Sequence, residues 1–384
     1  MLSVVTARLR RRHGRAPPGA LLRRLGLTGL LTVLGPGVLA GLSDDDPAGI
    51  TTYSVLGARF GYELLWALVL ATGALVVFHE LGARMGLVTR RGVIWLVRDR
   101  YGGRATVAVT AALIAANLGT TCAELAGVAA ASELAGVSRY ASVPVAAVAV
   151  GMLVFKESFH RVEHVLLALG AVFVAYIASG LLAGPDWGAA AKGMVVPSLT
   201  ASALVLAAAT VGTTLAPWGL AFIQSYSADK RLTSADLRYE RVDVVVGAVM
   251  TGVIGAFVVI ACAATLHMAD QDVNDARDAA EALRPLAGSL ASTPFALGLL
   301  GAALLAAAVV PLSTAYSVSE AFGREADDSL EEAPFFYATF IGVLTIGAVV
   351  LVPGGRARHV ARVDAGRERR PPAPASRRHA AARP

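Results

Sequence analysis

The chain has 384 residues, 55% of them hydrophobic and 16% charged, with a formal net charge of +6 and a mean hydropathy of +0.61. That is too apolar for an ordinary soluble domain of this length, so the chain is expected to live in a bilayer. Its two cysteines, Cys122 and Cys262, both lie in apolar runs, which leaves no place for a disulfide framework, a cysteine metal cluster or thiol redox chemistry.

In chain order, arginines precede a first apolar run that is longer than a secretory signal and has no convincing cleavage site, so residues 1–29 read as a basic cytoplasmic arm. Apolar runs long enough to cross a bilayer, roughly 17 to 25 residues each, fall near 30–57, 62–83, 104–134, 139–155, 162–183, 199–226, 242–266, 294–321 and 334–353. These make nine spans. The first is interrupted, because Asp44, Asp45, Asp46 and Pro47 stand between two apolar pieces. Buried carboxylates and a broken backbone at membrane depth are costly and belong where they line a cavity or lie within protein. The sixth is interrupted too, at Val211-Gly212-Thr213-Thr214-Leu215-Ala216-Pro217-Trp218, and Pro217 follows Pro47 by 170 residues. Two broken helices at matching places, five spans apart, point to a transporter built from inverted repeats with its site at the midplane.

The expected fold is therefore an all-α integral membrane protein of two antiparallel five-span halves. Residues 30–183 form the first repeat, 184–198 an outer loop, 199–353 a second repeat with four spans, and 354–384 a disordered basic tail. With the N-terminus inside, twenty Lys and Arg residues fall on the cytoplasmic side and five, Arg59, Arg139, Lys192, Arg277 and Arg284, on the outer side, which fixes the expected orientation in the cell inner (plasma) membrane. Nine spans would leave the nine arginines from Arg356 to Arg383 outside. That conflict suggests that a tenth span has been lost by truncation or frameshift; the alternative is a natural basic tail on anionic lipid.

Asp46 supplies the charge that a cation needs. His79 and Glu80 are expected to anchor the second span at the interface or bond the neighbouring loop, Asp243 and Arg241 to form an interfacial pair, and Trp187 and Tyr239 to join the aromatic belt. Pro311, Ser313 and Thr314 are candidates to line a path, although hydroxyls in membrane helices often only bond back to their own helix. No nucleotide-binding loop or metalloprotease motif appears, and topology accounts for the basic balance without nucleic acid.

These motifs resemble the Nramp family of divalent-metal transporters, and most closely its Nramp-related magnesium-transporter branch, from about Gly35 to the ninth span. Asp46-Pro47-Ala48-Gly49 stands where typical members have Asp-Pro-Gly-Asn, and Thr213-Thr214-Leu215-Ala216-Pro217-Trp218 where they have Ala-x-x-Met-Pro-His. Leu81-Gly82-Ala83-Arg84-Met85-Gly86-Leu87-Val88-Thr89-Arg90-Arg91-Gly92 and Thr120-Thr121-Cys122-Ala123-Glu124 add similarity. The resemblance implies a LeuT-like fold and a metal site of Asp46, Ala48, Gly49, Thr213 and Ala216, with Asp46 the one side-chain ligand kept in these two helices. Replacing the family's methionine by Ala216 removes the soft donor, and the smaller Gly49 and Ala216 leave room for a hydrated hard ion, magnesium first and manganese second. The family's proton-carrying aspartate and histidine correspond to Thr121 and Trp218, so weak or no proton coupling is expected, with Glu124 retained as a pathway residue.

The implied partners are a divalent cation and the lipid bilayer, with no cofactor and no enzymatic activity. Three alternatives stay open: a transporter of the same architecture for an amino acid or organic cation, an intramembrane enzyme, and a transport-dead truncated relative. The first would need an anion-binding helix end where Asp44 to Asp46 repel anions. The second would need another aspartate motif, and none is evident.

Overall fold

The computed structural model describes residues 35–156, 159–198, 200–230, 236–271, 273, 289–324 and 333–368, and they contain no strand. The apolar runs fold as helices because no water is available at membrane depth to bond an open backbone. The order is α1 (Pro36–Asp44), α2 (Pro47–Phe60), α3 (Leu65–Thr89), α4 (Val93–Leu134), α5 (Arg139–Lys156), α6 (Phe159–Gly170), α7 (Val174–Leu182), α8 (Trp187–Val195), α9 (Ala201–Thr214), α10 (Pro217–Asp229), α11 (Leu237–Cys262), α12 (Ser289–Ala321) and α13 (Pro334–Glu368). A π-helical turn, Ala263–His267, extends α11. Among the described residues seven helical segments are long and apolar enough to cross a membrane, and the first expected span is present as the two pieces α1 and α2.

Both expected breaks occur, with one geometry. Before the first proline, Asp45 has φ −83° and ψ 43°, and Asp46 is extended at φ −70° and ψ 169°. Before the second, Leu215 has φ −99° and ψ 51°, and Ala216 is extended at φ −68° and ψ 131°. A residue that precedes proline is driven out of the helical region, while proline itself suits the first position of a new helix. The same two-residue break is thus written twice, once in each half.

Helix α12 is the axis of the molecule. From Gly301 to Glu320 every residue but Leu304 is buried, and α12 packs on α4, α7, α10 and α13. Helix α11 carries a second core seam, a row of residues four apart that share one face. Asp243 and Gly247 meet Gly37, Gly247 meets Gly41, Gly255 meets the Tyr53 ring, and Val259 meets Gly57. Small residues allow the backbones of α1 and α11 to touch: a methyl group on Gly41 would lie 2.5 Å from the Gly247 carbonyl carbon.

Three features depart from the expected organisation. The stretch 184–198 contains α8, capped by the Asp186 carboxylate on the amides of Gly188 and Ala189. Helix α4 begins eleven residues earlier than the third apolar run and contains Gly102 at φ 77° and ψ −179°, a conformation that only glycine adopts without strain. At the far end α13 continues through residues 354–368, where a disordered tail was expected; residues 369–384, like the basic arm 1–29, lie outside the described residues.

Candidate functional site

The two breaks bring four carboxylates into the protein interior. Asp44, Asp45 and Asp46 are 1%, 0% and 6% exposed, and Glu124 of α4 is 0% exposed. Successive residues at a break point in different directions, so the three aspartates fan out. Asp44 faces His79 of α3, with Oδ2 3.6 Å from Nε2, and lies against Gly219 of α10. Asp45 is fully buried, close enough to Tyr53 and Tyr176 to act on both electrostatically. Asp46 caps α2 by accepting the Gly49 amide at 2.6 Å and faces Glu124. Both carboxylate oxygens of Asp44 and Asp45 lack a hydrogen-bond partner among the described residues, Glu124 has only the Asp46 carboxyl beside it, and no described Lys or Arg is buried. Polar groups so deeply buried are normally satisfied.

The walls are tied together by hydroxyls and amides. The Tyr53 hydroxyl and Thr214 Oγ1, 3.2 Å apart, link α2 to α9. Ser313 of α12 donates to the Trp218 carbonyl at 2.9 Å, in the first turn of α10. Asn117 of α4 donates to Thr314 of α12 at 2.8 Å. Thr314 also bonds back to Val310, so Pro311, Ser313 and Thr314 belong to a packed helix that braces the second break.

A profile of the family described as natural resistance-associated macrophage protein-like matches residues 37–361. The chain belongs to the Nramp family. It is 31% identical over 322 residues to the divalent metal cation transporter MntH of Acidiphilium cryptum, covering 79% of this chain and 73% of that one. The Burkholderia ambifaria transporter of the same name is 29% identical, over 72% of this chain and 66% of the other. The Deinococcus radiodurans one is 30% identical, over 77% and 72%. The chain thus spans about two thirds to three quarters of these curated relatives. In three dimensions it is similar to a solved Eremococcus coleocola manganese transporter in complex with an aromatic bis-isothiourea substituted compound, with TM-score 0.73, 21% identity and coverage of 89% of this chain and 74% of the other. Two variants of that transporter give TM-score 0.72 at 20% identity. At that identity the likeness shows the fold.

Within this Nramp chain the residues singled out by sequence are distributed unevenly about the breaks. Asp46 and Gly49 are buried, Ala48 is exposed, and Thr213 and Ala216 are half-buried. Ala48 and Gly49 lie in the first turn of α2, where carbonyls serve the helix, and the Ala48 carbonyl also accepts the Thr52 hydroxyl at 3.0 Å. Carbonyls free of helical duty belong instead to the last turns of α1 and α9, which include Ser43, Asp44 and Thr213. Thr121 is buried, and its hydroxyl is committed to the Asn117 carbonyl at 2.8 Å. Trp218 is buried beneath the Ser313 bond.

Two expectations are corrected. Asp243 is not an interfacial partner of Arg241: it is fully buried and accepts the amides of Gly35, Gly37 and Val38 at 3.0, 2.6 and 3.3 Å, closing the N-terminus of α1. Arg241 pairs at 2.8 Å with Glu80, which also holds Arg84. His79 is no interfacial anchor either, since it is fully buried against Asp44. Its position in the middle of a long apolar helix is the sequence signal of that burial.

Proposed function

We propose that the protein is a membrane transporter of a hard divalent cation, manganese or magnesium, which it binds where the two helix breaks cross and moves by alternating access. The single observation that carries this reading is the set of buried carboxylates with no buried Lys or Arg among the described residues. Uncompensated burial of ionised groups costs several kcal/mol each, and a doubly charged ion between them offsets that cost. The relatives named above are called divalent metal cation transporters, which supports the same class of cargo.

The donors offered are oxygens. Asp46 is the central ligand, with the free carbonyls of the α1 and α9 ends and retained water around it. Gly49 and Ala216 add no side-chain donor, so nothing soft favours a thiophilic metal. Magnesium and manganese both suit carboxylate, carbonyl and water. Proton coupling is weak or absent in this reading because Thr121 and Trp218, at the positions of the family's proton carriers, have no titratable group; Glu124 is retained beside Asp46. The proposed setting is the plasma membrane with the N-terminus inside, and the proposed halves are 30–183 and 199–353.

Equilibrium binding to the purified full chain tests the site. Manganese is expected to bind, to be displaced by excess magnesium, and to bind at least about tenfold more weakly after Asp46→Ala. Folded wild-type protein that binds neither ion would refute the reading.

A further inference from the structure

We propose that Asp44 and His79 form a second cation subsite, one step from Asp46, that grips a transition-metal ion more firmly than magnesium. The inference rests on the transport reading above, but on different residues. Asp44 closes α1, whereas His79 comes from α3, and both are essentially without exposure. Neither ring nitrogen of His79 and neither carboxylate oxygen of Asp44 has a hydrogen-bond partner among the described residues. A buried imidazole normally binds through at least one nitrogen, so a pair of such groups that face each other with no hydrogen bond on any of the four atoms calls for a shared ligand.

The spacing identifies that ligand. Nε2 and Oδ2 are 3.6 Å apart, too far for a good hydrogen bond. A metal ion lies about 2.1 Å from an imidazole nitrogen or a carboxylate oxygen. Two such bonds meeting at one ion with a wide angle between neighbouring ligands span the observed gap. The third side is held open by glycine: a side chain on Gly219 would begin 3.0 Å from Nε2 and 3.6 Å from Asp44 Oδ1. That leaves space there for the ion's water.

The location gives the subsite its role. Gly219 is the third residue of α10, which leads away from the second break toward Asp229, and with the N-terminus inside this is the cytoplasmic direction. An ion that leaves Asp46 inward meets Asp44 and His79 next. Imidazole suits iron, zinc and related transition metals, whereas magnesium prefers oxygen and keeps its water. The pair therefore discriminates between ions that Asp46 alone treats alike.

Manganese bound to the full-length protein is a direct probe, because its electron spin senses a coordinated nitrogen. Pulsed electron paramagnetic resonance is expected to show imidazole nitrogen coupling in wild type and more clearly in Asp46→Ala, where the outer ligand is gone. His79→Gln should abolish the coupling, and Asp44→Asn should weaken it while leaving the histidine in place. In proteoliposomes His79→Gln should lower the manganese-to-magnesium uptake ratio at least threefold. Wild type that binds and carries manganese without nitrogen coupling, and with a ratio unchanged by His79→Gln, overturns this inference and leaves the transport reading intact. Wild type that neither binds nor carries manganese or magnesium overturns both.

Discussion

At the scale of single residues, buried carboxylates serve two purposes that burial alone does not separate. Asp243 and Glu320 are fully engaged: Asp243 holds three amides at the start of α1, and Glu320 accepts Ser225 Oγ at 2.5 Å and the amides of Ile94 and Trp95 at 3.2 and 3.4 Å. Asp44 and Asp45 have unused oxygens. The engaged pair is structural, so Asp243→Ala should cost about 3 kcal/mol or more, because it orphans buried donors. Asp243→Asn, which keeps one acceptor oxygen, should recover part of that. Thermal unfolding in detergent checks both; a melting temperature unchanged by Asp243→Ala would contradict the assignment. Asp46→Ala removes one helix cap, a loss of about 1 kcal/mol, and should leave the fold intact while removing function.

At the scale of elements, the breaks were legible in the sequence and the seam that closes them was not. Proline alone does not decide it, since Pro144, Pro294 and Pro311 lie inside continuous helices. At Pro47 and Pro217 the proline follows a polar stretch, Asp44 to Asp46 or Gly212 to Thr214, and that combination, local to the chain, marks both breaks. The partners of α1 lie more than 200 residues away, and nothing local in Asp243-Val244-Val245-Val246-Gly247 says which helix it will face. The pairing of His79 with Asp44 is non-local in the same way, although its burial is legible from its place within α3. The seam also holds the end of α1, where Thr251 donates to the Gly41 carbonyl at 2.5 Å and to Gly247 at 3.0 Å. Together these bonds keep the inner end of α1 docked on α11, and under the proposed alternating access this is the contact that we propose opens. Gly41→Leu should therefore weaken docking by about 1 to 3 kcal/mol through overpacking. Accessibility of a cysteine placed at Ser43, read by thiol labelling from the inner side, is expected to rise; no change in labelling would count against the seam as the closing contact.

At the scale of the whole molecule, the surface and the proposed transport act are matched. Large apolar side chains such as Val69, Leu70, Val77, Val107, Val205 and Val349 are exposed, as expected of faces turned to lipid, while the polar groups converge on the breaks. Moving a divalent ion inward without a counter-ion carries two charges through the field, worth roughly 2.3 kcal/mol per charge per 100 mV. An inside-negative potassium diffusion potential should therefore accelerate uptake several-fold, and collapsing it with valinomycin in symmetric potassium should abolish the gain. Equal rates in both conditions would indicate electroneutral exchange. The orientation is checked by labelling: a cysteine at Arg59 should react with an impermeant reagent from outside intact cells, and one at Arg84 should not.

The most direct test of the central claim is uptake of manganese and magnesium into proteoliposomes that contain the full chain, beside Asp46→Ala, with a pH-sensitive dye inside. The account predicts uptake by wild type, loss of at least about 90% of it in a stably folded Asp46→Ala protein, and no acidification of the lumen. Uptake that survives Asp46→Ala unchanged, or folded wild type that moves neither ion, would contradict it.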